Sequence, residues 1–298
     1  MTAASWKKVL QQAVKSIRGF AHQKVTRPLA LAKEPRVGVA LGGGFARGIA
    51  HIGVLKVLEE NGIRVHCLAG TSIGSIIAGA YASGATIEEM AGVARRVRWS
   101  DFARWTVSRM GLATNQRMEA FLKRAFRALR FEDLKIPLAV TATDLTHGKS
   151  VVFTSGELVT AVRASCAYPG LFLPVAYNGS WLVDGMLVAA VPVQAVRQLG
   201  ADVVVAVVLD NIEPGLEPKN MLDVLGRSFS IAQRTADPIW RAEADVVIEP
   251  NVRAYRWDEF ERADELIAAG EKAMRAALPR LQVLLKPAAA PQAQAATA

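Results

Sequence analysis

From Val37 onward, short runs of apolar and β-branched residues alternate with stretches whose apolar positions recur every three or four residues. That alternation is the signature of strand-helix-strand units around a mainly parallel sheet, an α/β fold. The pattern predicts strands at Val37–Leu41, Val65–Ala69, Leu138–Thr143, Val203–Leu209 and Asp245–Ile248. It predicts helices at Gly48–Asn61, Gly74–Ser83, Ile87–Val97, Gln116–Arg127, Glu157–Ser165, Val193–Leu199, Leu222–Arg234 and Asp258–Leu285.

Residues 1–36 read as an extension. At about 100° per residue, Trp6, Val9, Leu10, Val14, Ile17 and Phe20 fall within an arc of roughly 140°, with Lys7, Lys8, Lys15 and Arg18 outside it. A basic amphipathic helix with a Trp on its apolar face suits an anionic membrane surface; a helix packed on the domain with its basic face in water fits the same pattern. The main domain is expected over 37–286. The end, 287–298, is rich in Ala, Pro and Gln and is expected to be a disordered tail.

Half of the 298 residues are apolar and 21% are charged, a globular composition. The longest apolar run, Val203–Leu209, is far short of the ~20 residues of a membrane-spanning helix. Without a signal-peptide pattern at the start, the expected location is the cytoplasm, with peripheral membrane contact through 1–36. Cys67 and Cys166 lack metal-ligand spacing and are expected to be reduced and buried. The net charge of +9 is concentrated in 1–36 and in Arg95–Arg130. Neither run forms a nucleic-acid module, so only salt-sensitive, non-specific association follows from charge, and no specific nucleic-acid partner is expected. The second run reads as a solvated helical face, whose Trp99, Phe102 and Trp105 are alternatively the rim of an apolar cleft.

Two motifs carry chemistry. In "LGGGFARGIAHIGVL", three glycines and an arginine stand between a strand and a helix. Gly43 and Gly48 have Walker spacing, but Ile49 and Ala50 follow where Lys and Ser/Thr are needed, and no frame gives G-x-G-x-x-G. What remains is an anion-facing helix start. Gly70-Thr71-Ser72-Ile73-Gly74 is a G-x-S-x-G between a strand and a helix, the pattern of a nucleophile elbow. Together they describe a serine hydrolase whose glycine loop offers N–H groups to a transient oxyanion.

The base is not an ordinary triad histidine. In the order Ser, Asp, His the base would come late in the chain, yet of His22, His51, His66 and His147 the last is His147 and no histidine follows it. His51 and His66 read as satisfied structural residues. A carboxylate with a raised pKa is the alternative, and Asp144, Asp184 and Asp210 each end a predicted strand. Gly185 after Asp184 favours an exposing turn there; Asp144 and Asp210 read equally as turn or capping residues.

At this point the chain resembles the bacterial patatin-like phospholipase family. The resemblance rests on "GVALGGGFARGIAHIGVLKVLEE", "GTSIGS", "VTATDLTHGKSVVF" with "AVRASCAYPGLFLPV", and "LVDGMLVAAVPV", in that order. It implies a three-layer α/β/α fold and lipid acyl hydrolysis by a Ser-Asp dyad. Ser72 is then the nucleophile and Asp184 the base. Gly42, Gly43, Gly44, Arg47 and Gly48 form the oxyanion loop, and Gly70 and Gly74 flank the elbow. Three departures bear on substrate preference: Phe45 stands where a small residue is usual, Met186 follows Gly185, and Ala189 and Ala190 replace Asn and Pro. The expected activity is that of a phospholipase, lysophospholipase or carboxylesterase acting on fatty-acyl esters through an acyl-enzyme, without metal or organic cofactor. The competing expectation is a low-turnover regulatory or lipid-binding scaffold.

Overall fold

In the computed structural model, residues 34–209, 217–219 and 221–286 are described, and Pro35–Lys286 form one unit. The amphipathic pattern of Trp6–Phe20, His22, Asp210 and the tail lie outside the described residues.

The predicted core strands all form. They are β1 (Val37–Leu41), β2 (Val65–Thr71), β5 (Leu138–Asp144), β9 (Val203–Val207) and β10 (Val246–Ile248). The strand expected to end at Asp184 is β8 (Ser180–Asp184), while sequence patterning missed β6 (Lys149–Phe153), β7 (Val175–Tyr177) and a two-residue ribbon, β3 (Arg104–Trp105) with β4 (Ala113–Thr114). The sheet order is β10-β9-β1-β2-β5-β8-β7, with β6 also paired to β5. From β10 to β5 the pairs are parallel; β6 and β8 run antiparallel to β5.

Helices cover both faces. Along β1 and β9, Val39, Leu41, Val203, Val205 and Val207 point into one core, packed by α1 (Ala50–Glu60), α2 (Ile73–Ala82), α3 (Ile87–Arg96), α5 (Gln116–Ala125), α6 (Leu158–Ser165) and α9 (Ala263–Leu285). The alternate residues Ala40, Val204 and Ala206 face the other core with Cys67, Ala69 and Ala139, against α7 (Val193–Gln198) and Trp240 of α8 (Met221–Glu243). Period-two alternation thus puts the larger side chains under the thicker helical layer, and the result is the three-layer α/β/α arrangement. Both cysteines are buried free thiols.

Two predicted helices differ at their ends. The first begins as a 3-10 turn, Phe45–Ile49, before α1. α8 continues past Arg234 through Pro238. A further helical turn, α4 (Trp99–Phe102), precedes the ribbon. α1 and α9 cross in backbone contact: a Cβ on Gly53 would lie 2.0 Å from the Ile267 carbonyl, and one on Gly270 1.9 Å from that of Ala50. This crossing seats α1, and with it the glycine loop that feeds it.

Candidate active site

Sheet register brings the predicted residues to one level. Leu41 pairs with Gly70, Thr71 with Thr141, and Ala142 with Asp184. One residue beyond β2, Ser72 therefore stands between the glycine loop and the end of β8. The Thr71 hydroxyl lies 2.6 Å from that of Thr141 and donates to the Ala189 carbonyl at 2.7 Å, so β2, β5 and the segment after Asp184 are tied at this level.

Ser72 adopts φ 52°, ψ −126°, a left-handed conformation costly for a residue with a Cβ. The strained turn sits between a buried strand and α2, the geometry of an elbow that exposes its side chain. Gly74 is required by closeness: a Cβ there would lie 2.1 Å from the Leu41 carbonyl and 2.7 Å from that of Gly42. At Gly70 a Cβ would lie 2.5 Å from the Gly74 carbonyl and from Ser75. Two serines fix the turn. The Ser72 N–H donates to the buried Ser165 hydroxyl at 2.8 Å, and the Ser75 hydroxyl donates to the Ser72 carbonyl at 2.6 Å.

Asp184 is fully buried. Its Oδ1 accepts the Met186 N–H at 3.0 Å, while Oδ2 has no hydrogen-bond partner among the described residues. Burial pushes the carboxyl up to about 7, against the Ser72 hydroxyl beside it and the Met186 N–H, which favour the ionised form. Ser72 is thus close enough to act on the carboxyl, but it does not complete a bond to Oδ2.

Within the glycine loop, the Gly42 N–H donates to Val207 at 3.0 Å and the Gly43 N–H to Ala190 at 3.2 Å. The Gly42 N–H thus continues the sheet ladder to β9, and the Gly43 N–H is held by the segment after β8, so neither is a free donor. The N–H groups of Gly44 and Phe45 have no acceptor among the described residues. A Cβ on Gly43 would lie 3.5 Å from that of Ser72, so the loop borders the serine. Gly48 packs against Ile73, and Arg47 donates Nε–H to the Tyr255 carbonyl at 2.7 Å, while Ala46 N–H donates to Trp257 at 3.0 Å. His51 lies behind the loop, its Nε2 2.8 Å from the Gly42 carbonyl and its Nδ1 without a partner among the described residues. The expectation of a satisfied histidine holds for one nitrogen and fails for the other. His66 accepts the Val37 N–H at Nδ1.

Asp144 does not join the site. Its Oδ1 accepts the Thr146 and His147 N–H groups, and its Oδ2 accepts from the Ser180 hydroxyl and faces His147 Nδ1 at 2.8 Å. Burial would raise this carboxyl, but those bonds outweigh it and hold the value at about 2. It is the turn residue between β5 and β6.

The departures now have structural contexts. Phe45, at φ 53°, packs on Tyr168 and Trp257 at centroid distances of 5.0 and 5.3 Å, and Trp99 joins Trp257 to Phe172. Phe102 lies instead in the core with Phe121 and Phe260, and Trp105 is exposed. Met186 and Ala190 act through their backbone, as donor to Asp184 and acceptor from Gly43. A cavity of ≈ 380 Å³ beside the loop is lined by Gly43, Met186, Val191, Leu209, Gln233 and Arg241, among others.

A mainly parallel sheet in an α/β/α arrangement, carrying a strained serine at a strand-helix elbow and a buried aspartate two strands away, defines a patatin-type scaffold. The patatin-like phospholipase family model matches residues 39–197, and the chain belongs to that family. It is 35% identical over 187 residues to an uncharacterized NTE family protein of Mycobacterium tuberculosis, covering 62% of this chain and 52% of the relative. It is 34% identical over 204 residues to lysophospholipase NTE1 of Yarrowia lipolytica, covering 66% of this chain and 14% of that protein. The chain thus spans about half the length of the mycobacterial relative and a small part of the fungal one. The crystal structure of VipD from Legionella pneumophila shares the fold, with a TM-score of 0.50 at 15% identity, covering 83% of this chain and 67% of VipD.

Proposed function

We propose that the protein hydrolyses carboxylic esters of lipids, with lysophospholipids as the substrate class, through a Ser72-Asp184 dyad. The observation that carries this reading is the placement of a half-exposed serine in a strained elbow beside a buried carboxyl whose pKa is raised to about 7. Asp184 takes the Ser72 proton as Oγ attacks the ester carbonyl. The oxygen that becomes negative is held by loop N–H groups, for which Gly44 and Phe45 are the donors without another acceptor. Collapse of the tetrahedral intermediate breaks the ester C–O bond, and Asp184 returns its proton to the leaving alkoxide. Water then attacks the acyl-enzyme by the same steps in reverse roles, releasing the fatty acid and Ser72.

Membership of the patatin-like phospholipase family and the likeness to the Yarrowia lysophospholipase support a lipid substrate. The aromatic cluster of Phe45, Tyr168, Trp257 and Trp99 supplies apolar surface next to the loop. Among the described residues no helix is long and apolar enough to cross a membrane. Access to lipid is through surface contact, for which the basic amphipathic pattern of 1–36 is the proposed element. Deleting 1–36 is expected to weaken sedimentation with anionic liposomes while short-ester hydrolysis persists; unchanged sedimentation would remove that element from the account.

The chemistry is tested by release of fatty acid from 1-acyl-lysophosphatidylcholine. Wild type should turn over, Ser72→Ala should not, and Asp184→Asn should retain a small residue of activity. Normal turnover by Ser72→Ala would refute the dyad.

A further inference from the structure

The chemistry above makes no use of His51, the fully buried histidine at the start of α1. A carbonyl oxygen only accepts hydrogen bonds, so the nitrogen 2.8 Å from the Gly42 carbonyl must carry the proton. His51 is therefore the Nε2–H tautomer, and its Nδ1 is a bare acceptor, buried without a partner among the described residues. An unpaired polar atom in the core is a cost that an aliphatic side chain would avoid. Among the described residues the imidazole makes a single hydrogen bond, and that bond goes to the glycine loop.

The geometry of the peptide unit shows what the bond does. The Gly42 carbonyl and the Gly43 N–H belong to one planar group and point in opposite directions. His51 holds the carbonyl end, and Ala190 holds the N–H end at 3.2 Å. The preceding N–H, on Gly42, is tied to Val207. With both of its faces fixed, this peptide sets the direction in which the chain leaves toward Gly44 and Phe45. The same Gly42 carbonyl is the atom that a side chain at position 74 would approach to 2.7 Å, so it also abuts the elbow.

We infer that His51 is a positioning residue: by donating Nε2–H to the Gly42 carbonyl, it fixes the Gly42–Gly43 peptide plane and thereby aligns the loop donors with Ser72. The inference rests on the reading of the glycine loop as the oxyanion site. Its effect is confined to the transition state, because the loop donors bind charge that develops there.

The experiment compares wild type, His51→Leu, His51→Gln and His51→Asn in steady-state hydrolysis of p-nitrophenyl butyrate, with thermal unfolding of each and Ser72→Ala as control. A Gln amide nitrogen reaches the place of Nε2, whereas the shorter Asn does not. For His51→Leu and His51→Asn, kcat should fall by about 10- to 100-fold, the cost of a displaced catalytic group, with KM changed by less than about 2-fold. His51→Gln should recover most of kcat. Should the Leu variant fail to fold, the Gln and Asn pair still decides the matter. Equal kcat in Gln and Asn variants, or a wild-type kcat in the Leu variant, would overturn the role of His51. Turnover surviving in Ser72→Ala would instead overturn the reading on which it rests.

Discussion

At the scale of single residues, the proposed dyad depends on a carboxyl whose environment disfavours its charge. Asp184 is pushed up to about 7 chiefly by burial. A base must be ionised to take a proton, so kcat/KM should fall as pH drops through about 7 rather than near 4, where an exposed aspartate titrates. Replacing Asp184 by Asn should lower kcat by about 10²- to 10⁴-fold, the usual contribution of a positioned base, and remove that limb. A pH-rate profile checks both. An acid limb near 4 in the wild type would mean that the group in control of the rate is not this one. Asp144 provides the contrast at the end of the neighbouring strand: the Thr146 and His147 N–H groups, His147 and Ser180 all hold it ionised, so its proton affinity is too low for the task.

At the scale of elements, Asp184 is delivered by a hairpin. β7 and β8 are joined by Asn178 and Gly179, at φ 47° and 80°, the type I′ pattern that matches the twist of paired strands. Nothing lies within 4 Å of a Cβ on Gly179, so Gly179→Ala meets only backbone strain and should cost about 1–2 kcal/mol. Gly74→Ala meets the Leu41 carbonyl instead and should cost more than about 4 kcal/mol or prevent folding. Urea unfolding of the two variants measures the difference; equal costs would show that the elbow is looser than its contacts imply. The Asn-Gly pair marks a hairpin, but β7 has only three residues and lacks the apolar pattern by which β1, β2, β5, β9 and β10 were found, and of β8 only the end at Asp184 was expected. Ser72 and the loop stand out in the sequence through their immediate neighbours, whereas Asp184 was set apart from Asp144 and Asp210 only by the glycine after it and by the family resemblance. The use of loop donors was not legible there. Whether the Gly42 and Gly43 N–H groups are free depends on Val207 and Ala190, which are distant in the chain and adjacent only through sheet order and the segment after β8. The same holds for Ser165, which fixes Ser72 from α6, and for the part played by His51.

At the scale of the whole molecule, the site affects stability through two buried groups that titrate in opposite directions. Asp184 has a folded pKa raised from 3.8 to about 7, so the native state binds the proton more tightly and stability falls as pH rises across that window. His51 has a folded pKa lowered from 6.5 to about 4 by burial, so the native state sheds its proton and stability rises as pH rises over that range. Each contribution is on the order of 3–4 kcal/mol, and between about pH 4 and 6.5 they largely offset one another. Asp184→Asn removes one of them. Its stability should therefore climb with pH by about 3 kcal/mol more steeply than that of wild type between pH 4 and 7. Denaturant unfolding at a series of pH values reads this directly, and parallel profiles would show that Asp184 is less buried in solution. The most direct test of the central claim is mass-spectrometric mapping of the adduct left by a fluorophosphonate probe. The account predicts one adduct, on Ser72, formed by wild type and absent from Ser72→Ala. Folded wild type that forms no adduct, or forms it on another residue, would contradict Ser72 as the activated nucleophile.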